Sequence, residues 1–164
     1  MKKQRKVTFK RRRQNKTDYT SRALILEGRV PRLVVRKTNR YLIAQIVESV
    51  KAQDKVVLTA NSKELMKYGW PQTTSVKNLA AGYLLGILCS IKAKRNKIDK
   101  AVLDIGLIRS TKGNKIYAVV KGAVDGGLNV PHSAEILPEE ERIKGKNLKN
   151  KVQVEKIKEV IMRS

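Results

Sequence analysis

The 164 residues carry 37 Lys and Arg against 14 Asp and Glu, a net charge of +23, with 4% aromatic residues and a single cysteine. One cysteine excludes an intrachain disulfide and a cysteine-based zinc site, and the scarcity of rings argues against recognition by aromatics stacked on unpaired bases. A chain of this length buries about 70% of its unfolded surface in one core, so one domain with tails is expected, and the charge calls for a polyanion, most commonly nucleic acid.

Residues 1–16 hold Lys2, Lys3, Arg5, Lys6, Lys10, Arg11, Arg12, Arg13 and Lys16 with no acid among them. Mutual repulsion predicts an arm that stays extended until a polyanion neutralises it. Arg11, Arg12 and Arg13 fork two bonds each onto a phosphate, so with Lys10 and Lys16 they are candidate RNA contacts. Val7 and Phe9 are too few apolar anchors for a membrane-surface helix, and no apolar stretch follows the basic residues as in a signal peptide. The longest apolar run, Leu79 to Ile91, falls short of the about 20 residues a bilayer span needs. A soluble cytoplasmic protein with no membrane partner is expected.

Thr17 or Asp18 caps a short helix that carries Tyr19, Ala23, Leu24 and Leu26 and ends at Gly28 as a left-handed stop. Arg32 to Lys37 and Tyr41 to Val47 read as strands joined at Thr38-Asn39-Arg40, with Asn39 tolerating positive φ, and Lys55 to Thr59 completes an antiparallel meander. Ser62 caps a helix to Tyr68 that ends at Gly69, and Trp70 is expected to plug the following loop onto the body in preference to stacking on a nucleotide. From about Val76 to Arg95 a long helix is apolar nearly all round, hence buried; Cys89 is a small core residue, and Gly82 and Gly86 share a face that admits a close neighbour. Lys100 to Leu107 reads as a buried strand, and Ile116 to Asp125 as a helix stopped by Gly126-Gly127. After Pro138, Glu139 to Glu141 suit a helix start, Arg142 to Lys151 carries five basic residues without an acid, and Val154, Ile157 and Ile161 recur at helical spacing as a face for a partner. The expected class is a mixed α/β fold: three antiparallel strands, helix, parallel strand, helix, one sheet with helices on a face. The expected boundaries are a basic arm at 1–16, a globular domain at 17–133 and a C-terminal extension at 134–164.

Strand alternation puts Arg32 and Arg36 on one face of the first strand, opposite Leu33 and Val35, which offers a basic sheet face away from the helices. Arg36, Lys37, Asn39 and Arg40 fit an ordinary polar turn as well as an RNA contact. Lys112, Asn114 and Lys115 precede a helix whose backbone N–H groups suit a phosphate, with incidental charge as the equal alternative. His132 stands without a nucleophile at recognisable spacing and reads as a backbone-bonded or RNA-contacting side chain. Arg142, Lys144 and Lys146 extend the basic set. No cofactor, metal or small-molecule substrate is expected; the glycines match no phosphate loop or dinucleotide fingerprint.

Lys16-Thr-Asp-Tyr19, Pro31-Arg-Leu-Val-Val-Arg-Lys-Thr-Asn-Arg40, Ala44-Gln45, Tyr68-Gly-Trp70, Ala101-Val-Leu-Asp-Ile-Gly-Leu107, Lys121-Gly-Ala-Val-Asp-Gly-Gly-Leu128 and Pro131-His-Ser133 together resemble the archaeal and eukaryotic branch of one ribosomal family. This is the large-subunit protein numbered eighteen in bacteria and five in eukaryotes, and the resemblance covers roughly residues 10 to 145. It implies a non-catalytic binder of 5S rRNA that helps anchor this RNA in the central protuberance, beside large-subunit rRNA and neighbouring ribosomal proteins. It also raises the hairpin residues as part of the RNA surface. Two other classes remain as alternatives: a general polyanion binder of chromatin or membrane surfaces, and a metal-dependent nuclease using Asp104 and Asp125.

Overall fold

The computed structural model describes residues 7–50, 53–145 and 152–163. A one-turn helix α1 (Lys10–Arg13) and helix α2 (Tyr19–Glu27) precede strands β1 (Arg32–Lys37), β2 (Leu42–Val50) and β3 (Gln53–Asn61). A 3-10 helix (Ser62–Tyr68) leads to α3 (Leu79–Arg95), β4 (Val102–Asp104) and α4 (Lys115–Asp125), and α5 (Glu140–Ile143) and α6 (Val154–Arg163) close the chain. The sheet runs β3-β2-β1-β4, with β1 antiparallel to β2 and parallel to β4, as the meander followed by a helical crossover requires.

Alternation along the strands sorts the side chains. Leu33, Val35, Leu42, Ala44, Ile46, Leu58 and Ala60 face α3 and α4 and are buried, whereas Arg32, Val34, Arg36 and Gln45 occupy the outer face. Helices α3 and α4 touch almost backbone to backbone. A Cβ on Gly86 would stand 2.1 Å from the Val119 carbonyl oxygen, one on Gly122 1.9 Å from that of Tyr83, and one on Gly82 3.1 Å from that of Lys115. The partners advance together along both helices, so α3 and α4 run parallel with their N-termini side by side. The glycine face expected of α3 is this contact. Trp70 packs as expected, buried with its Nε1–H donating to the Thr74 carbonyl at 3.0 Å.

Several boundaries differ from expectation for local reasons. The arm is not wholly extended: Lys10–Arg13 form a helical turn, with Arg13 N–H donating to the Phe9 carbonyl at 3.1 Å and the Phe9 ring 5.0 Å from that of Tyr19. Asp18 caps α2, accepting from Thr20 N–H at 3.0 Å, but Gly28 keeps φ −68° and Arg29 takes the left-handed position at φ +49°. Asn39 does not adopt positive φ, because the turn is closed by Thr38, whose N–H donates to the Tyr41 carbonyl and whose hydroxyl oxygen accepts from Tyr41 N–H, each at 3.0 Å. The 3-10 helix is capped by Asn61 in a reciprocal pair with Glu64, not by Ser62. The Ser62 hydroxyl instead accepts from Leu42 N–H at 3.0 Å. Helix α3 begins at Leu79, where Asn78 accepts from Ala81 N–H at 2.7 Å. Strand β4 is three residues long, because the Asp104 carboxylate accepts from Gly106 N–H at 2.8 Å and turns the chain.

The apolar row of α6 is not a face for a partner. Val154, Ile157 and Ile161 are buried on the chain's own α3 and join the core together with Ile143 and Val152. A polar relay fixes that contact: Lys158 Nζ donates to the Tyr83 hydroxyl at 3.0 Å, and Tyr83 donates to Asp125 at 2.8 Å. Burial, followed by the Asp125 contact, raises the Tyr83 pKa.

Candidate nucleic-acid interface

The outer sheet face carries a ladder of alternating charge. Arg32, 3% exposed, donates to Asp104 and to Asp54, each at 2.7 Å, and to the Ser49 hydroxyl at 3.0 Å. Asp54 also accepts from Arg22 of α2 at 2.9 Å, and Asp104 from Arg36 at 3.3 Å. Arg36 adds a bond to the Asp104 carbonyl at 3.0 Å. Burial acts to raise the Asp54 pKa, but the Ser49 hydroxyl and the guanidinium groups of Arg22 and Arg32 outweigh it and hold the carboxyl below the ordinary value. The face expected to be freely basic is therefore largely neutralised from within. Arg32 braces the fold, and the side chain of Arg36 alone of the two reaches solvent, at 41% exposure.

The other end of β1 is different. Lys37 ends the strand, and Asn39 and Arg40 stand exposed in the turn. Lys77 Nζ, from the segment before α3, donates to the Asn39 carbonyl at 3.2 Å. Lys115 opens α4 beside them, because Gly82 is pinned between the Lys115 carbonyl and Leu42, the register partner of Lys37. Burial first, then the charges of Lys77 and Lys37, lower the Lys115 pKa. The hairpin and the loop into α4, separate in sequence, thus form one basic platform at the shared start of α3 and α4. Neither helix has an acid in its first turn.

The backbone of that loop is less available than expected. Asn114 caps α4, its Oδ1 accepting from Lys115 N–H at 2.7 Å and its carbonyl from Tyr117 N–H at 3.0 Å, so the side chains carry what the platform offers. Lys112 lies 3.6 Å from Glu135, with both side chains well exposed. Arg142 reaches the same loop, its Nη1 3.3 Å from where a Cβ on Gly113 would stand. Lys144 turns to Glu155 at 3.7 Å. His132 Nδ1 donates to the Val130 carbonyl at 2.7 Å. Lys10, Arg12, Arg13 and Lys16 are exposed, as is Arg11, whose Nε donates to Thr17 at 2.9 Å. Lys146 lies outside the described residues.

Sequence reasoning missed Lys77. Its signal was position: it directly precedes the cap of a long helix whose first turn lacks an acid. The two carboxylates of the nuclease alternative are kept apart and engaged, Asp104 by Arg32 and Arg36 on the outer face and Asp125 by Tyr83 at the end of α4. Among the described residues no group of three His, Cys, Asp or Glu is placed to hold a metal ion. Cys89 is buried, and burial pushes its thiol up to about 12, with the Lys92 charge opposing. No helix among the described residues is long and apolar enough to cross a membrane.

Residues 3–100 and 90–133 match the family of ribosomal large subunit proteins 60S L5 and 50S L18. The chain belongs to this family. The large ribosomal subunit protein uL18 of Korarchaeum cryptofilum is 51% identical over 143 residues, covering 87% of this chain and 72% of that protein. Its counterparts in Methanoregula boonei (47% over 142 residues, 87% of this chain and 80% of that protein) and Methanothermobacter thermautotrophicus (48% over 143 residues, 87% and 73%) are similar to the same extent. Membership makes the chain a structural, non-enzymatic constituent of the large ribosomal subunit, an RNA-binding protein of translation with rRNA and ribosomal proteins as partners.

Proposed function

We propose that this family member binds 5S rRNA and helps anchor it in the central protuberance of the large subunit, with the platform at the start of α3 and α4 as the principal contact. The observation that carries this reading is the convergence of Lys37, Asn39, Arg40, Lys77 and Lys115 from the turn, the segment before α3 and the start of α4 on one end of the sheet-and-helix core. Cations held at fixed spacing release counterions from phosphates and read the shape of folded RNA, without needing bases to stack. The arm residues Lys10 to Arg13 and Lys16, with Arg36, Lys112, Asn114, His132, Arg142, Lys144 and Lys146, extend the contact to flanking rRNA. Arg32 supports it from within.

Binding to 5S rRNA, with a transfer RNA and a DNA duplex as competitors across a salt series, tests the reading. Preference for 5S rRNA that persists as salt rises is the expected result. Equal competition by all three, with affinity collapsing in salt, would reduce the chain to a general polyanion binder and overturn the proposal.

A further inference from the structure

Lys37, Lys77 and Lys115 come from a strand end, a loop and a helix start, yet they are brought together by one packing contact. Gly82 lies 3.1 Å, by its missing Cβ, from the Lys115 carbonyl oxygen and 3.4 Å from Leu42 Cδ1, and Leu42 is paired with Lys37 across the hairpin. Lys77 is five residues before Gly82 and is tied to the turn through the Asn39 carbonyl at 3.2 Å. None of the ion pairs found among the described residues involves these three ammonium groups; the nearest in sequence, Lys112 with Glu135 at 3.6 Å, lies earlier in the loop into α4.

A further feature favours an anion at the same place. Helices α3 and α4, of 17 and 11 residues, lie parallel with their N-termini adjacent, so the positive ends of both dipoles add where antiparallel helices would cancel. Like charges gathered over two dipole ends raise the free energy of the unliganded fold, and an oxyanion removes that cost.

We propose that Lys37, Lys77 and Lys115 close together on a single phosphate group, a backbone phosphate of the bound RNA, seated over the paired starts of α3 and α4. The proposal rests on the RNA-binding reading above and narrows it: three cations serve one phosphate, where an ordinary basic track would meet three phosphates in succession. A phosphate so held marks a fixed point of the RNA backbone and sets register for the remaining contacts.

The test compares K37Q, K77Q, K115Q and the triple variant with wild type in 5S rRNA binding over a salt series. Each neutralised phosphate contributes about 0.7 to 0.9 to the slope of log affinity against log salt. One shared phosphate therefore predicts a slope change of about one for the triple variant, with the first substitution weakening binding by about tenfold and the later ones adding little. A slope change near three with additive losses would overturn the clamp and leave the platform standing; no change while wild type still prefers 5S rRNA would overturn both the clamp and the platform as principal contact, and leave 5S rRNA binding itself standing. A second arm titrates inorganic phosphate into isotopically labelled protein and follows the Lys115 side chain by NMR. A saturable shift in wild type that is absent in K77Q supports the clamp even if 5S rRNA proves not to be preferred; no saturable shift counts against it. Thermal unfolding of the triple variant is expected at or above the wild-type midpoint, because mutual repulsion has been removed.

Discussion

Arg32 on the outer sheet face and Lys115 at the start of α4 carry the same charge and differ in what surrounds them. Arg32 is almost fully buried and stands between two carboxylates at 2.7 Å each; Lys115 is partly buried, and the charges that shift it are those of Lys77 and Lys37. One cation is neutralised inside the fold, and the other is left uncompensated at its rim. A net charge of +23 announces a polyanionic partner but does not locate it, because the outer face spends its arginines on Asp54 and Asp104. The surface with most to gain from phosphate is the one where packing has assembled Lys37, Lys77 and Lys115 without an ion-pair partner for any of them.

That contrast depends on the backbone contact between α3 and α4, so breaking the contact has the largest expected effect. Gly122→Ala would place a Cβ 1.9 Å from the Tyr83 carbonyl oxygen, where the nearest atoms are all backbone of α3 and no flexible side chain can yield. Stability is expected to fall by more than about 3 kcal/mol, read as a drop in the urea midpoint. Whatever fraction still folds should also bind RNA less well, because the spacing that gathers Lys77 to Lys115 is lost. A stable variant with wild-type RNA affinity would show that the helices do not set the platform.

Removing the acid from the neutralised face separates the two regions. Asp104→Ala leaves Arg32 buried with Asp54 and Ser49 as its remaining partners, and the expected loss is about 3 kcal/mol, the low end for a broken buried pair. RNA affinity measured where the variant is folded should stay within about threefold of wild type, a margin under 1 kcal/mol. The opposite change, Arg40→Gln in the exposed turn, should leave stability within about 0.5 kcal/mol and lower the salt slope of RNA binding by about one. If Asp104→Ala lost affinity without losing stability, or Arg40→Gln lost stability without losing affinity, the division of labour between the two regions would be reversed.

Much of this fold is legible in the sequence. The meander, the parallel return of β4, the buried α3, the glycine face and the packed Trp70 follow from periodicity and small-residue spacing, because the interactions concerned are local or repeat along one element. The misplaced features depend on distant partners. Nothing near Arg32 in sequence shows that β4 brings Asp104 beside it and β3 brings Asp54. The spacing of Val154, Ile157 and Ile161 correctly marked an apolar face, but spacing cannot say that the face closes on α3 of the same chain. The site was half visible for the same reason: the hairpin and the loop into α4 each showed as basic segments, while Lys77, which joins them, drew no attention as a single lysine before a helix cap. The turn misled locally, since Thr38 closes it through its own hydroxyl and leaves Asn39 an ordinary backbone conformation.

The smallest expected effect lies at the solvent end of the ladder, where Asp54 links Arg22 of α2 to Arg32 of β1. Burial acts to raise its pKa, but the Ser49, Arg22 and Arg32 contacts prevail, so the folded carboxyl titrates below the ordinary value of 3.8. On acidification the unfolded chain therefore takes up this proton first. The stability that Asp54 contributes is complete above the unfolded value and is lost as pH falls through the lower folded one. Asp54→Asn is expected to remove that part of the acid limb in unfolding followed from pH 6 to pH 2, with a loss at neutral pH of about 0.5 kcal/mol, since the side chain is more than one-third exposed and screened by solvent. An acid limb identical to wild type would mean that Asp104 alone holds Arg32 and that α2 owes nothing to its ion pair with the sheet. A larger loss, accompanied by release of α2 to proteolysis, would instead make Asp54 the hinge pin between the basic N-terminal segment and the neutralised face, and would shift weight in the comparison from Arg32 to Arg22.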